Sequence, residues 1–448
     1  MDWEARVLEA LRNSRPHWDA PPDWRAVLAL YGGLGPAEAA ALDRTLLTMI
    51  DLGYRNPHAE RELQPFEGVE VSLPAGMAPE DLLCIEAAVL VAAHRGLSDA
   101  YFPFARLMSL PTWHVVRSRL TWLDRDALTV QRQLALTRAG RSLGALLGLA
   151  VGDALGCTVE FMDRAAIRRR FPDGHREILG GGPFGIPAGG WTDDTDMAVA
   201  VGRGILESPA DPVDAVGRHF VAWLKSNPPD VGNTCRTAIA AYMRLGSWEL
   251  ASAHVAAELG KWAAGNGALM RTLPAALAYG RDPAQAIRIG RMTHPHPESD
   301  AAIAIYHRTV DALLEGAGAE EALAAGLSPL PGAEPPVAKA IGDLARRLAG
   351  VKDRPAEQIR AGGYVVETLE AALWAFLRSQ SLEECITAAV NLGEDADTVG
   401  AVAGGLAGAA YGPAAVPRRW SQRLRDRAVL DELAEGLYGV FRSLTIGN

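Results

Sequence analysis

Helical periodicity is the feature that most limits what this chain can fold into. Apolar residues recur at three- and four-residue steps along nearly all of it, as in 43–50, 82–93 and 142–149. This spacing places apolar side chains on one face of an α-helix, whereas a half-buried strand alternates every second residue. Few alternating runs are present. The sequence therefore predicts an all-α fold.

The length of 448 residues is enough for two domains, and we place a boundary near residue 135. Residues 1–135 form a Trp- and Leu-rich extension that we expect to be mostly helical, with an internal loop over 56–75. From Gly144 onward the chain becomes rich in Gly and Ala. We predict that residues 136–448 form a second domain, which carries the chemistry.

Charge and cysteine content exclude several classes of protein. The net charge of −10 argues against binding to nucleic acid or to acidic membranes. We find no signal-peptide pattern and no uncharged apolar run long enough to span a membrane, so we expect a cytoplasmic protein. The four cysteines are far apart, which predicts buried thiols rather than disulfides or a zinc site: Cys84, Cys157, Cys235 and Cys385.

A first acidic cluster follows two glycines, at Thr192-Asp193-Asp194-Thr195-Asp196. An apolar helical pattern begins directly after it, which favours a loop that enters a helix. A helix cap with acids in the first turn would use the same residue types. However, three carboxylates this close repel one another unless a cation or hydrogen-bond donors compensate. The cluster is therefore a candidate metal site.

A second cluster has the same design, at Glu394-Asp395-Ala396-Asp397-Thr398 after Gly393. We predict a helix from Val399 to Tyr411 behind it. This helix carries several glycines among alanines, and such small residues let another helix approach closely. Mid-helix glycine is unfavourable relative to alanine, so close packing is the reasonable explanation for it.

If the two clusters meet, they supply an all-oxygen ligand set of two hydroxyls and four carboxylates with a formal charge of −4, from Thr192, Asp193, Asp194, Asp395, Asp397 and Thr398. Oxygen ligands suit hard cations such as Mg²⁺ or Mn²⁺ and disfavour zinc. We predict two such ions.

Three other segments carry weaker signals. Asp153 and Glu160 are the charges in a run of small apolar residues, where a carboxylate has a raised pKa, although a helix that ends in surface acids fits equally well. The loop Gly265-Asn266-Gly267 offers backbone N–H groups to a phosphate, or is an ordinary turn. His294 and His296 are more typical of a capped helix start, with Ser299 or Asp300 as alternative caps, than of metal ligation.

Four motifs, taken in order, resemble the ADP-ribosylglycohydrolase family, which includes the dinitrogenase reductase-activating glycohydrolase and the ADP-ribosyl-acceptor hydrolases. They are GDALGCTVE from Gly152, WTDDTDM from Trp191, GNGALMR from Gly265 and GEDADTVGAVAGGLAGA from Gly393. The resemblance runs from about residue 144 to 411. Residues 1–135 resemble nothing that we recognise.

The resemblance implies an all-α bundle around a binuclear Mg²⁺ or Mn²⁺ centre. The implied metal ligands are Thr192, Asp193, Asp194, Asp395, Asp397 and Thr398. The implied catalytic residues are Asp230 and Glu160, one of which handles the proton. The residues predicted to bind substrate are Asn266, Gly267, Tyr364 and Asp153, with Tyr364 placed to stack on adenine.

The expected activity is removal of ADP-ribose from a modified acceptor by cleavage at C1″, through an oxocarbenium-like transition state. An arginine-linked protein is the favoured acceptor because Asp230 is present, and serine, nucleobase or small-molecule linkages stay open. An immunity-type protein that neutralises an ADP-ribosyltransferase through residues 1–135 is the alternative. A catalytically inactive ADP-ribose binder and a metal-dependent phosphoesterase are further alternatives.

Overall fold

The structure, a computed structural model, describes residues 3–14, 23–55, 85–109 and 129–446. The regular elements in these ranges are α-helices and short 3₁₀-helices. The β-type pairings there are two isolated bridges, Gly181 with Ile186 and Gly265 with Tyr364. The predicted all-α fold is therefore confirmed for the described ranges. Cys84 and the loop predicted over 56–75 lie outside them.

The chain divides into two compact units, Met1–Gly140 and Arg141–Asn448. The described helices of the first unit are α1 Trp3–Asn13, α2 Trp24–Leu30, α3 Pro36–Arg55, α4 Ile85–His94, α5 Tyr101–Ser109 and α6 Thr129–Ala135. Nearly all of α4 is apolar and buried, as expected for a helix with neighbours on every side. Asp43 of α3 joins α2 to the end of α4, because it accepts from the Tyr31 hydroxyl at 2.7 Å and from Arg95 Nη2 at 3.0 Å.

The unit boundary falls inside α7, Arg138–Gly156. The helices that follow are α8 Arg164–Arg170, α9 Asp193–Glu207, α10 Val213–Lys225, α11 Asn233–Leu245, α12 Trp248–Leu259, α13 Leu273–Tyr279, α14 Ala284–Arg291, α15 Pro297–Leu314, α16 Ala319–Leu327, α17 Pro335–Leu348, α18 Val365–Arg378, α19 Leu382–Val390, α20 Ala396–Tyr411, α21 Arg418–Ser421 and α22 Arg427–Ile446. Within the described ranges no single helix is long and apolar enough to cross a bilayer, and α6 with α7 would pass that test jointly on length and composition alone.

Glycines from α7 and α20 face each other along an antiparallel seam. A methyl group built on Gly148 would lie 2.1 Å from the Gly404 carbonyl oxygen, and one on Gly404 would lie 2.0 Å from the Gly148 oxygen. The facing positions are Gly144 with Gly408, Gly148 with Gly404, Gly152 with Gly400 and Gly156 with Ala396. The close approach expected for the second acidic helix is therefore made to α7, and it brings the carboxyl end of α7 beside the amino end of α20.

Helix α20 begins at Ala396, three residues before the predicted start at Val399. Asp397 and Thr398 are therefore part of its first turn, and Asp395 is its N-cap residue. Helix α9 begins in the same way, with Thr192 as the N-cap residue and Asp193 and Asp194 in the first turn. Both acidic clusters thus sit at helix N-termini, where the backbone partial charge favours anions.

Candidate active site

Asp153, near the end of α7, organises the first acidic cluster. One of its carboxylate oxygens accepts from the backbone N–H of Thr192 at 2.9 Å and lies 3.0 Å from the Thr192 hydroxyl. The other accepts from the Thr195 N–H at 3.0 Å and from its hydroxyl at 2.6 Å. Asp153 is fully buried, so the surface-acid interpretation was wrong. The structure gives it a positioning role, and substrate contact by Asp153 stays a prediction.

The two acidic clusters meet in space. Thr398 donates a hydrogen bond to Asp194 Oδ2 at 3.2 Å, and Thr192 Oγ1 lies 3.2 Å from the same oxygen. Neither threonine caps its own helix, because the Thr192 hydroxyl is directed to Asp153 and Asp194 instead of to a backbone N–H. The capping interpretation therefore does not account for these side chains.

Five carboxylates line one cavity of about 220 Å³ in the second unit. They are Glu160, Asp193, Asp230, Asp395 and Asp397. One oxygen from each of Glu160, Asp230 and Asp397 lies within 4.8 Å of the other two. The cavity thus brings the two predicted catalytic residues together with four of the predicted metal ligands, the three aspartates and Thr398, whereas Thr192 and Asp194 do not line it.

Several carboxylate oxygens of the acidic clusters and of Glu160 are buried without a hydrogen-bond donor. Asp194 Oδ1, Asp397 Oδ1 and Glu160 Oε2 have no hydrogen-bond donor within reach in the described structure. A buried, unsatisfied carboxylate oxygen is unfavourable unless a cation or donor compensates it. These three atoms therefore indicate where an oxygen-seeking ligand would bind.

Burial and mutual repulsion raise the pKa values of this group. Burial raises the pKa of Glu160 to about 9, with added repulsion from Asp230 and Asp395. Burial likewise raises the pKa of Asp230 to about 6. The pKa values of Asp193, Asp194 and Asp397 are also well above the ordinary value, first through burial and then through neighbouring carboxylates. In the absence of a cation, these carboxylates therefore keep protons at pH values where isolated carboxylic acids would release them.

The Gly-Asn-Gly loop lies on the same cavity and is fixed to the second acidic cluster. The amide of Asn266 donates to Asp395 Oδ2 at 2.8 Å and to Thr368 Oγ1 at 3.0 Å. The backbone pairs with the segment before α18, since the Asn266 N–H donates to the Gly363 carbonyl at 3.0 Å. Asn266 therefore orients Asp395, and the neighbouring Gly267 also lines the cavity.

Tyr364 lies beside this loop but its ring does not line the cavity. Its backbone forms the bridge to Gly265, and burial and the nearby Glu298 carboxylate raise the pKa of its hydroxyl. The ring is 37% exposed. Adenine stacking on Tyr364 stays a prediction, and any such contact would be made at the rim of the cavity.

A buried chain of hydrogen bonds ends at His294, which lines the cavity. The Arg271 guanidinium donates to Thr293 Oγ1 at 2.6 Å, and that oxygen lies 2.7 Å from His294 Nδ1. Because arginine can only donate, Thr293 Oγ1 is the acceptor of this hydrogen bond. Burial and nearby Arg271 lower the pKa of His294, which keeps the ring neutral.

The neighbouring His296 has the structural role that the sequence favoured. Its Nδ1 accepts from the Glu298 N–H at 3.2 Å and thereby caps α15. The cap is therefore His296 itself rather than Ser299 or Asp300. Asp300 instead accepts from Arg291 at 2.8 Å.

Sequence reasoning missed two contributors to the site and placed a third residue wrongly. Arg271 and Thr293 were given no role, although Arg271 closes the GNGALMR motif. Asp196 was counted with the acidic cluster, but it points away from it and accepts from Trp191 Nε1 at 2.8 Å and Trp223 Nε1 at 3.1 Å. The adjacent Trp191 was the available signal for this second role.

Comparison with known proteins agrees with this geometry. The family model described as ADP-ribosylglycohydrolase matches residues 135–445. The ADP-ribosyl-[dinitrogen reductase] glycohydrolase of Rhodospirillum rubrum is 39% identical over 291 residues, which covers 63% of this chain and 90% of that protein. The ADP-ribosylarginine hydrolase Tri1 of Serratia proteamaculans is 31% identical over 333 residues, covering 72% of this chain and 84% of that protein.

A solved structure agrees as well. A chain of an "ADP-ribosylglycohydrolase-related protein complex" superposes with a TM-score of 0.57 at 38% sequence identity, covering 68% of this chain and 99% of that one. The residues that the family model matches, 135–445, include every residue that lines the cavity. The protein therefore belongs to the ADP-ribosylglycohydrolase family of enzymes.

Proposed function

We propose that this protein is a metal-dependent hydrolase that removes ADP-ribose from a modified acceptor, with arginine-linked protein as the favoured substrate. One observation carries the proposal: five carboxylates from distant segments line a single cavity together with the Gly-Asn-Gly loop. The names of the relatives describe hydrolases that act on an ADP-ribosylated reductase and on ADP-ribosylarginine.

The oxygen donors of the two acidic clusters suit hard divalent cations. These donors are carboxylate and hydroxyl oxygens, and the buried oxygens of Asp194 and Asp397 lack a partner. The residues that would hold two Mg²⁺ or Mn²⁺ ions are Thr192, Asp193, Asp194, Asp395, Asp397 and Thr398. When bound, such ions polarise ligand oxygens and lower the pKa of a bound water.

The chain's own residues then bind the substrate and move a proton. Asn266 keeps Asp395 in position, and the backbone N–H groups of the glycine loop suit a diphosphate. Asp230 and Glu160 line the same cavity outside the predicted ligand set, so one of them takes a proton from the water that attacks C1″ and returns it to the departing acceptor nitrogen. The carboxylates that line the cavity suit a cationic acceptor such as arginine better than a neutral one.

A panel of ADP-ribosylated acceptors tests the proposal. The purified protein is incubated with arginine-, serine- and nucleobase-linked substrates, with Mg²⁺ or with a chelator, and the products are identified by mass spectrometry. We expect free ADP-ribose and unmodified arginine in the presence of metal only. Release of AMP would indicate a phosphoesterase, and binding of ADP-ribose without turnover would indicate an inactive binder.

A second candidate function concerns the first unit. Residues before 135 lie outside the family model, yet the first unit has a buried core of its own around α3 and α4. A folded unit joined to the hydrolase suits recognition of a protein partner, and an ADP-ribosyltransferase whose product the hydrolase removes is the partner we favour. Calorimetric titration of a transferase domain with the full chain, and with residues 136–448 once circular dichroism shows that they fold, tests this candidate. Equal affinity for both forms would eliminate the first unit as the recognition surface.

A further inference from the structure

Phe161 places an aromatic ring at the mouth of the cavity. It follows Glu160 directly, lines the cavity and is 67% exposed. Its ring meets that of Phe184 edge to face, with centroids 6.2 Å apart and an interplanar angle of 71°. A single exposed apolar side chain needs no explanation, but an aromatic pair beside the catalytic carboxylates does.

The backbone of Phe161 is held in a strained conformation. Its φ of 60° lies in the left-handed region that non-glycine residues rarely adopt. The Phe161 N–H donates to the Glu394 carbonyl at 2.7 Å, and the Glu394 N–H donates to the Met162 carbonyl at 2.8 Å. Glu394, also at positive φ, immediately precedes Asp395. The second acidic cluster therefore fixes the position of this ring, and strain of this kind is concentrated at functional sites.

The charges around the ring indicate what it would bind. Its immediate neighbours are Glu160 in the chain and Glu394 across the two hydrogen bonds, while Asp230 and Asp395 line the same cavity. An aromatic ring in a cavity that carboxylates also line attracts a planar cation, and a guanidinium can both stack on the ring and pair with the acids. Adenine, which is neutral, would gain only the stacking.

We propose that Phe161, supported by Phe184, determines acceptor specificity by stacking on the guanidinium of the modified arginine. This inference rests on the proposed function. It assigns the ring to the acceptor and not to the ADP-ribose moiety.

The test compares Phe161→Leu with Phe161→Trp. Leucine keeps the apolar bulk and the same backbone conformation but removes the ring, and tryptophan retains a ring. Trp262→Ala is the control, because Trp262 is also exposed but does not line the cavity. The measurements are kcat/KM for arginine-linked and serine-linked substrates, and the inhibition constant of free ADP-ribose, which has no acceptor.

For Phe161→Leu we expect kcat/KM on the arginine-linked substrate to fall about ten-fold, the scale of one lost cation–π contact. The inhibition constant of free ADP-ribose should stay unchanged, and Phe161→Trp and Trp262→Ala should resemble the wild type. An unchanged kcat/KM in Phe161→Leu would overturn this inference but not the proposed function. A parallel rise in the inhibition constant would do the same and assign the ring to adenine. Absence of turnover in the wild type on every acceptor would overturn both the proposed function and this inference.

Discussion

The hydroxyl of Thr398 donates to a carboxylate oxygen of Asp194 at 3.2 Å, across 204 positions of sequence. The other oxygen of Asp194 has no donor. The carboxylate of one cluster is therefore oriented by a hydroxyl of the other.

Replacement of Thr398 by valine removes this hydroxyl without changing the size of the side chain. We expect Mg²⁺ affinity and kcat to fall together by about 10–100-fold, as for other groups that orient metal ligands. Thr398→Ser keeps the hydroxyl and should remain close to the wild type. Calorimetric metal titration and steady-state kinetics measure both quantities. A valine variant with normal metal affinity would contradict the assigned role.

Loss of a proposed ligand should abolish metal binding and turnover together. Asp193→Ala and Asp397→Ala each remove a carboxylate that lines the cavity. Asp196→Asn is the matched control from the same acidic segment, because Asp196 is bound by two indole N–H groups away from the cavity. This control should lower the melting temperature but keep the metal stoichiometry. Full metal occupancy with normal turnover in either alanine variant would refute the ligand assignment.

Asp230→Asn and Glu160→Gln identify the residue that handles the proton. Loss of a general acid or base lowers kcat by about 10²–10⁴-fold. We expect one of the two variants to show this loss while its metal affinity, measured by calorimetry, is retained. If both variants kept wild-type kcat, neither carboxylate would be the proton-transfer group.

Without metal, the protein should lose stability as the pH rises. The folded-state pKa of Glu160, about 9, lies above its ordinary value of 4.5, so in this interval the folded protein retains a proton that the unfolded chain releases. The free energy of unfolding then falls as the pH rises from about 4.5 to about 9, and the part of this window above pH 7 lies outside the range where histidines titrate.

Thermal melts in chelator measure this effect. The melting temperature should fall between pH 7 and pH 9, and added Mg²⁺ should raise it more at pH 9, because ligands must be deprotonated to bind. Glu160→Gln should make the decline shallower. A melting temperature in chelator that rises between pH 7 and pH 9 would contradict the raised pKa of Glu160.

The glycine seam should tolerate no added methyl group. An alanine at Gly148 or Gly404 would place its Cβ within about 2 Å of a backbone oxygen of the facing helix. We expect a loss of roughly 3 kcal/mol or more in the free energy of unfolding by denaturant. Gly439→Ala in α22 is the control, since nothing lies within 4 Å of that position. It should stabilise the protein by about 0.5–1 kcal/mol, and equal effects at the two sites would argue against the seam.

The sequence predicted the helical fold and the family better than the hydrogen bonds of individual side chains. The all-α fold, the family and the buried state of Cys157, Cys235 and Cys385 are confirmed, because periodicity, motif order and cysteine spacing report on them directly. The bundle geometry around a metal centre stays a prediction, as does the functional division near residue 135.

What the sequence could not give is which hydrogen bonds a carboxylate makes. Asp153 was assigned to substrate and Asp196 was grouped with the acidic cluster, yet each is bound by donors that only tertiary packing brings near. The start of α20 was also placed too late, because acidic residues in a first turn resemble a loop in sequence.

The seam between α7 and α20 has a mechanical consequence for the site. Elsewhere in the core a disturbance is absorbed when side chains change rotamer, but along this contact two backbones touch and there is nothing to rotate. A shift in either helix is therefore transmitted to the end of α7, four residues before Glu160, and to the first turn of α20, which carries Asp397. The spacing between Glu160 and Asp397 therefore depends on this main-chain contact. A substitution far along either helix should also change the cavity.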